Sequence, residues 1–213
     1  GLGYEALAEV LSRHETIILE GYGGVLWDDV RRNLEQSINN LGKTVAWQNV
    51  EQALKPTREI DSMTAPYLGN DDVFALRYSG TLTDFFDKEK LAQIHESPDA
   101  DINIIYGTGA SLANWQGLKV FLEVPKNEIQ FRARAQRITN LFEAKPYNPK
   151  LMYKRFYFLD WIVLNRHKET LLPDLDFIID TQRLETPTFM TGAAFRQALT
   201  EQSTHPLRVR PWF

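Results

Sequence analysis

Cysteine is absent from this 213-residue chain, which excludes disulfides, thiol nucleophiles and Cys-ligated zinc. Histidine is scarce. The four residues His14, His95, His167 and His205 show no metal-ligand spacing, and each reads as a surface or capping residue. No G-x-S-x-G string supplies an acyl-transfer nucleophile. No apolar run approaches the about 18 residues of a membrane span, and no signal-peptide pattern is present, so the expected compartment is the cytoplasm, without a membrane partner. Positive charge is not in excess: 24 Lys and Arg stand against 28 Asp and Glu, a net charge of -4. Nucleic acid is therefore not an expected partner. Repeats and low-complexity segments are lacking too. What remains, with 43% hydrophobic and 24% charged residues, is ordinary globular material long enough to bury a sizeable core.

Within that frame the chain alternates strands with helices. Tyr4 to Ser12 reads as a helix leading into a strand at Thr16 to Leu19. Asp28 to Leu41 carries Val30, Leu34 and Ile38 at helical spacing, closes at Gly42 and gives way to a strand at Thr44 to Trp47, a βαβ unit. Further strands are expected at Val73 to Leu76, Ile102 to Tyr106, Leu118 to Val124 and Phe177 to Ile179. Helices are expected at Leu82 to Ile94, about Asn127 to Phe142, and Pro149 to Leu172. The Thr- and Pro-rich stretch Thr186 to Gly192 reads as a linker before a closing helix, Ala193 to Gln202. This alternation implies a single α/β domain over residues 1–205, with a mainly parallel sheet and helices on both faces.

The most informative string is Thr16-Ile17-Ile18-Leu19-Glu20-Gly21-Tyr22-Gly23-Gly24, an apolar run breaking into glycines before a helical pattern. Phosphate-binding loops begin this way: a P-loop reads G-x-x-x-x-G-K-[ST], with amides around the phosphate, a Lys reaching its outer oxygens and a hydroxyl holding magnesium. Counted from Gly21, the last three places hold Leu26, Trp27 and Asp28. The turn is kept while its cation and hydroxyl are lost, which argues against phosphoryl transfer. Gly42-Lys43-Thr44 does contain a GK[ST], but it follows a helix and enters a strand, so Gly42 reads as a helix C-cap. A second glycine cluster, Gly107-Thr108-Gly109-Ala110-Ser111, also follows a strand. It is either a tight turn needing positive φ or a ligand-contacting loop, and Leu112 leaves its GxGxxG incomplete.

Candidate anion-binding side chains are Arg132, Arg134 and Arg137, joined downstream by Lys154, with Gly21, Gly23 and Gly24 supplying amides. Arg134 and Arg137, three apart, are expected to share a helix face; a solvated basic face is the bland reading of the same residues. Asp28, Asp29, Asp160, Asp174, Asp176 and Asp180 include candidate Mg²⁺ ligands should a nucleotide bind; no residue is assigned to a metal outright. The aromatic run Phe156, Tyr157, Phe158 and Trp161 reads as core packing.

The order of these features, with Leu118-Lys119-Val120-Phe121-Leu122-Glu123-Val124 before an Arg-rich helix, then His167-Lys168 and Pro173-Asp174-Leu175-Asp176-Phe177, resembles the uridine kinase and phosphoribulokinase group of P-loop kinases. That resemblance implies a three-layer nucleoside-kinase-like sandwich and makes Arg132, Arg134 and Arg137 lid arginines. The sequence departs from the group at Trp27 and Asp28. The strings Val124-Pro125-Lys126-Asn127-Glu128, Tyr153-Lys154-Arg155-Phe156-Tyr157-Phe158-Leu159-Asp160-Trp161 and Arg208-Val209-Arg210-Pro211-Trp212-Phe213 are similar to the amino-terminal region of bacterial proteins named as class I mannose-6-phosphate isomerases. That likeness implies that residues 206–213 begin a linker to a cupin isomerase domain, which would hold the zinc.

Three readings follow. The first is a degenerate kinase-like domain binding a nucleotide or sugar phosphate, in a regulatory or structural role beside an attached isomerase of carbohydrate metabolism. The second is a working sugar or nucleoside kinase that recruits a cation from elsewhere, Lys154 for instance. The third is a ligand-free dimerisation module, with a second copy as partner and the Trp27 indole filling the turn.

Overall fold

A computed structural model describes residues 1–206. The chain runs α1 (Gly3–Leu11), β1 (Thr16–Gly21), α2 (Trp27–Asn39), β2 (Val45–Asn49), α3 (Thr57–Leu68), α4 (Lys88–Ala92), β3 (Ile102–Gly107), β4 (Leu118–Glu123), α5 (Lys126–Arg134), α6 (Pro149–Arg155), α7 (Trp161–Leu171), β5 (Phe177–Asp180), β6 (Thr188–Thr191) and α8 (Gly192–Ser203). The six strands form one sheet in the order β2-β3-β1-β4-β5-β6, parallel except for β6. It is a mixed α/β fold with helices flanking the sheet. β1 and β3 are interior strands and are mostly apolar because both of their faces are covered, with Glu20 and Asn103 the buried polar exceptions. A single buried cluster joins these strands to α1, α2 and a π turn at Phe156–Asp160.

The chain leaves β1 for β2 on one side and later passes β1 again to reach β4 on the other. The strand order therefore turns back at β1, and in open α/β sheets the crevice outside the carboxyl ends of the strands at such a point is where ligands bind. Both glycine turns open onto that edge.

Several expected elements differ, each for a local reason. Residues 73–76 form no strand: the Asp71 carboxylate accepts from the amides of Val73 and Phe74, both at 2.7 Å, and Val73, Phe74 and Leu76 are exposed. The helix expected at Leu82 to Ile94 is broken, because Asp84 closes a capping box on a 3₁₀ turn (Leu82–Phe85) and Asp87 caps a new start at α4. The helix expected to reach Phe142 stops at Arg134. Gln136 takes φ 54°, Arg137 N–H donates to the Arg132 carbonyl (2.9 Å) and Gln136 N–H to that of Ala133 (3.0 Å), the Schellman pattern with glutamine in glycine's usual place. Arg134 and Arg137 consequently do not share a helix face. The expected linker at Thr186 to Gly192 contains β6, paired antiparallel with β5 and held from outside by Gly1 and Gly3. Helix α3, containing Pro66, was not legible in the sequence pattern. The linker expected at residues 206–213 lies, from residue 207 on and so with the Arg208 to Phe213 string, outside the described residues.

Candidate functional site

A cleft of about 660 Å³ lies at the carboxyl edge, walled by the first glycine turn, the start of α2, residues 136–142 and the π turn. That size falls within the range of small-molecule sites. The first turn, residues 22–26, descends directly from β1 into the uncapped N-terminus of α2. Tyr22 anchors it: its amide donates to the Leu122 carbonyl (2.9 Å), and its buried hydroxyl donates to Asn165 Oδ1 (2.7 Å). Burial, then the charges of Glu123 and Asp160, push that phenol's pKa up. Among the described residues the amides of Gly23 and Gly24 have no hydrogen-bond partner, so they remain free to meet a ligand beside a helix N-terminus.

The place a P-loop gives to Lys is filled. The Trp27 indole packs so closely on Gly21 that a methyl group there would overlap it, and its ring sits 5.7 Å from that of Tyr106. Asp28 stands where the magnesium-binding hydroxyl would be and lines the cleft with Asp29 and Glu51. Desolvation and the nearby Asp28 charge raise the Glu51 carboxyl, although the residue itself is open to solvent. Asp29 is neutralised twice, by Arg32 and by Arg137 at 3.7 Å. Asp160, 1% exposed, reaches the cleft wall from a π turn (Phe156–Asp160) between α6 and α7. Such turns frequently occur at functional sites. Its carboxyl is raised by burial, against the opposing pull of Arg155 (3.4 Å), Asn140 Nδ2 (2.6 Å) and the Leu141 amide (3.2 Å).

Of the expected anion-binding residues, Gly23, Gly24 and Arg137 come together on the cleft. Arg132 does not face it. Buried to 3% exposure, its guanidinium pairs with Glu128 (2.8 Å) and donates to the carbonyls of Gly24 (2.9 Å), Thr181 (2.8 Å) and Gln182 (3.2 Å). It is a strut tying the first turn to the end of β5. Arg134 is exposed and lies 5.7 Å over the Tyr153 ring, and Lys154 Nζ donates to the Asp71 carbonyl. Neither lines the cleft, so Lys154 is not placed to replace the missing lysine. Asp174, Asp176 and Asp180 do not line the cleft: the first two bond Lys119 at the start of β4, and Asp180 accepts from the Gln182 amide. Among the described residues no three His, Asp or Glu side chains are grouped to hold a metal.

The residue missed by the sequence pattern is Glu20. It is 1% exposed, and its carboxylate accepts from the amides of Gly21 (3.0 Å), Gly109 (2.7 Å) and Ser111 (3.0 Å), from the Ser111 hydroxyl (2.7 Å) and from His167 Nε2 (3.1 Å). Burial pushes its pKa up, but these donors and the His167 charge outweigh it, and the net direction is down. His167 is thus a buried network member, not a surface or capping residue. Ser111 Oγ and Glu20 both approach the same ring nitrogen, 3.1 Å each. A Ser-His-acid relay needs one partner on each nitrogen, so the arrangement is a structural knot. The available signal was a lone carboxylate in an otherwise buried strand, which requires internal partners.

A family model described as Domain of unknown function (DUF8485) matches residues 3–204, and the chain belongs to that family. No curated protein matches it. Among solved structures, a protein from Silicibacter sp. TM1040 provisionally assigned as a fructose transport system kinase aligns with a TM-score of 0.54 at 14% identity, over 79% of this chain and 95% of that one. The likeness establishes a kinase-like fold. No helix among the described residues is long and apolar enough to cross a membrane.

Proposed function

We propose that this DUF8485 domain keeps the ligand cleft of a kinase-like fold and has given up phosphoryl transfer, binding a nucleotide, a sugar or a sugar phosphate in a regulatory or structural role. The observation that carries it is the Trp27 indole packed on Gly21 beside an open cleft of about 660 Å³. The cation that would steady a transferring phosphoryl group is gone, and the pocket next to it is not. Free amides at Gly23 and Gly24, with Arg137 across the cleft, are the groups that meet the ligand. By the sequence likeness given above, the domain works beside a mannose-6-phosphate isomerase, with residues 206–213 beginning the linker to its cupin domain; the composition adds a cytoplasmic setting.

The test is a thermal-shift series with ATP, GTP, UTP, mannose 6-phosphate and fructose 6-phosphate, with and without magnesium, run beside a phosphoryl-transfer assay. Ligand at a hundred times its dissociation constant stabilises the fold by about 2.7 kcal/mol. A shift without turnover is the expected result. Turnover abolished by Asp28→Asn would restore the kinase reading.

A second reading, a ligand-free dimerisation module, is favoured by the same Trp27, which closes the turn that phosphate would occupy. Silence across the panel, with a dimer in sedimentation equilibrium, would select it.

A further inference from the structure

The geometry points to an uncharged sugar ring, not a phosphate ester or a nucleotide, as the group held at the Trp27 end of the cleft. This inference rests on the ligand-binding reading above and names its ligand class.

Charge distribution is the first argument. The two guanidiniums lining the cleft, Arg32 and Arg137, both converge on Asp29. Asp28 and Glu51 have no cation partner among the described residues, and desolvation, then the Asp28 charge, raises the Glu51 carboxyl. A phosphate dianion placed here would add charge of the same sign in a partly desolvated wall. Hydroxyl groups would not: a carboxylate takes O–H donors in short charge-assisted bonds.

Shape is the second. The half-buried Trp27 ring offers apolar surface beside those acceptors and is backed by the buried Tyr106 ring at 5.7 Å. A sugar ring has the matching anatomy, with C–H faces for aromatic surfaces and a rim of hydroxyls for carboxylates. The dipole at the start of α2 is already answered by Asp28 and Asp29 in its first turn, so the helix end does not call for a further anion.

The test titrates the protein with fructose, mannose, their 6-phosphates, ATP and spermidine, reading intrinsic tryptophan fluorescence and calorimetric heat, and repeats each titration on Asp28→Asn and Glu51→Gln. Both substituted side chains are at the surface, so the variants fold. The proposal expects the neutral sugars to bind at least as tightly as their 6-phosphates, and each substitution to weaken them about fivefold or more. A 6-phosphate or ATP binding tenfold tighter than the neutral sugars overturns the inference and leaves the ligand-binding reading standing, the more so if Asp28→Asn tightens it. Spermidine outcompeting every sugar also overturns it. No heat and no fluorescence change from any compound overturns both.

Discussion

The two glycine turns leave the same edge of the sheet from neighbouring strands, β1 and β3, yet they spend their amides in opposite ways. In the turn after β3, the amides of Gly109 and Ser111 both donate to Glu20. In the turn after β1, Glu20 takes only the Gly21 amide, and those of Gly23 and Gly24 stay open to the cleft. One turn is a lock and the other a rim, and a single buried carboxylate decides which is which. A strand breaking into glycines therefore identifies a place where backbone is closely approached: by the Glu20 side chain in one case, and along the wall of the cleft in the other.

The largest effect should come from removing the lock. Glu20→Ala strands the donors of Gly109, Ser111 and His167 in a buried site, which is expected to cost about 4–5 kcal/mol, the upper range for breaking a buried charged pair. Chemical denaturation would measure it, and a loss below about 1 kcal/mol would mean that Glu20 is not holding the turns together. The same group sets a pH dependence. Its carboxyl is held below its ordinary value in the fold, so the unfolded chain takes up the proton first. The stabilisation is complete above the unfolded pKa of about 4.3 and is lost as pH falls through the lower folded value. In Glu20→Gln this acid limb should flatten.

Next is the strut. Arg132→Ala leaves the Gly24, Thr181 and Gln182 carbonyls and the Glu128 carboxylate without their donor, for an expected loss of about 3–4 kcal/mol. If Arg132 were instead a lid arginine, the variant would keep its stability and lose ligand affinity, and a melting curve beside a titration separates the two. The glycines give a smaller, paired contrast. Gly109 has φ 101°, and a Cβ there would come within 2.6 Å of the Phe86 ring, so Gly109→Ala should cost about 2–3 kcal/mol. A Cβ on Gly23 meets only the Leu164 Cδ1 methyl, at 2.9 Å. That methyl can turn aside, and Gly23→Ala should stay near about 1 kcal/mol while narrowing the cleft. Equal losses would erase the distinction between lock and rim.

The interior strands were readable because buried parallel strands are written as mostly apolar runs, as at Ile17 to Leu19, Ile102 to Tyr106 and Val120 to Leu122, whereas the exposed edge strand β6 was not. The end of α5 was not, since its Schellman turn puts Gln136 where glycine would have announced it. Nor could spacing sort the basic residues. Arg132, Arg134, Arg137 and Lys154 are alike as charges, and what separates them is burial and the carbonyls within reach, both products of the tertiary fold. Trp27 and Asp28 were legible as departures from a P-loop, because a motif lost at its reactive positions is as specific as one kept. Glu20 lay within that same string. Its role depended on Gly109, Ser111 and His167, which come from distant parts of the chain.

The smallest expected effect on stability is the sharpest test of the rim. Arg137 is 54% exposed at its side chain, and its only ionic contact among the described residues is the 3.7 Å approach to Asp29, which Arg32 already neutralises. Exposed pairs of this kind contribute little, so Arg137→Ala should leave the unfolding free energy within about 0.5 kcal/mol of the parent. Its effect on the cleft depends on the charge of the ligand. If Arg137 meets an anionic ligand, the substitution weakens sugar phosphates and spares neutral sugars. If the ligand is uncharged, the substitution leaves Asp29 with Arg32 alone and barely alters sugar affinity. A titration of mannose and mannose 6-phosphate against parent and variant, at one pH and salt concentration, reads the difference directly, because the fold is the same on both sides of the comparison.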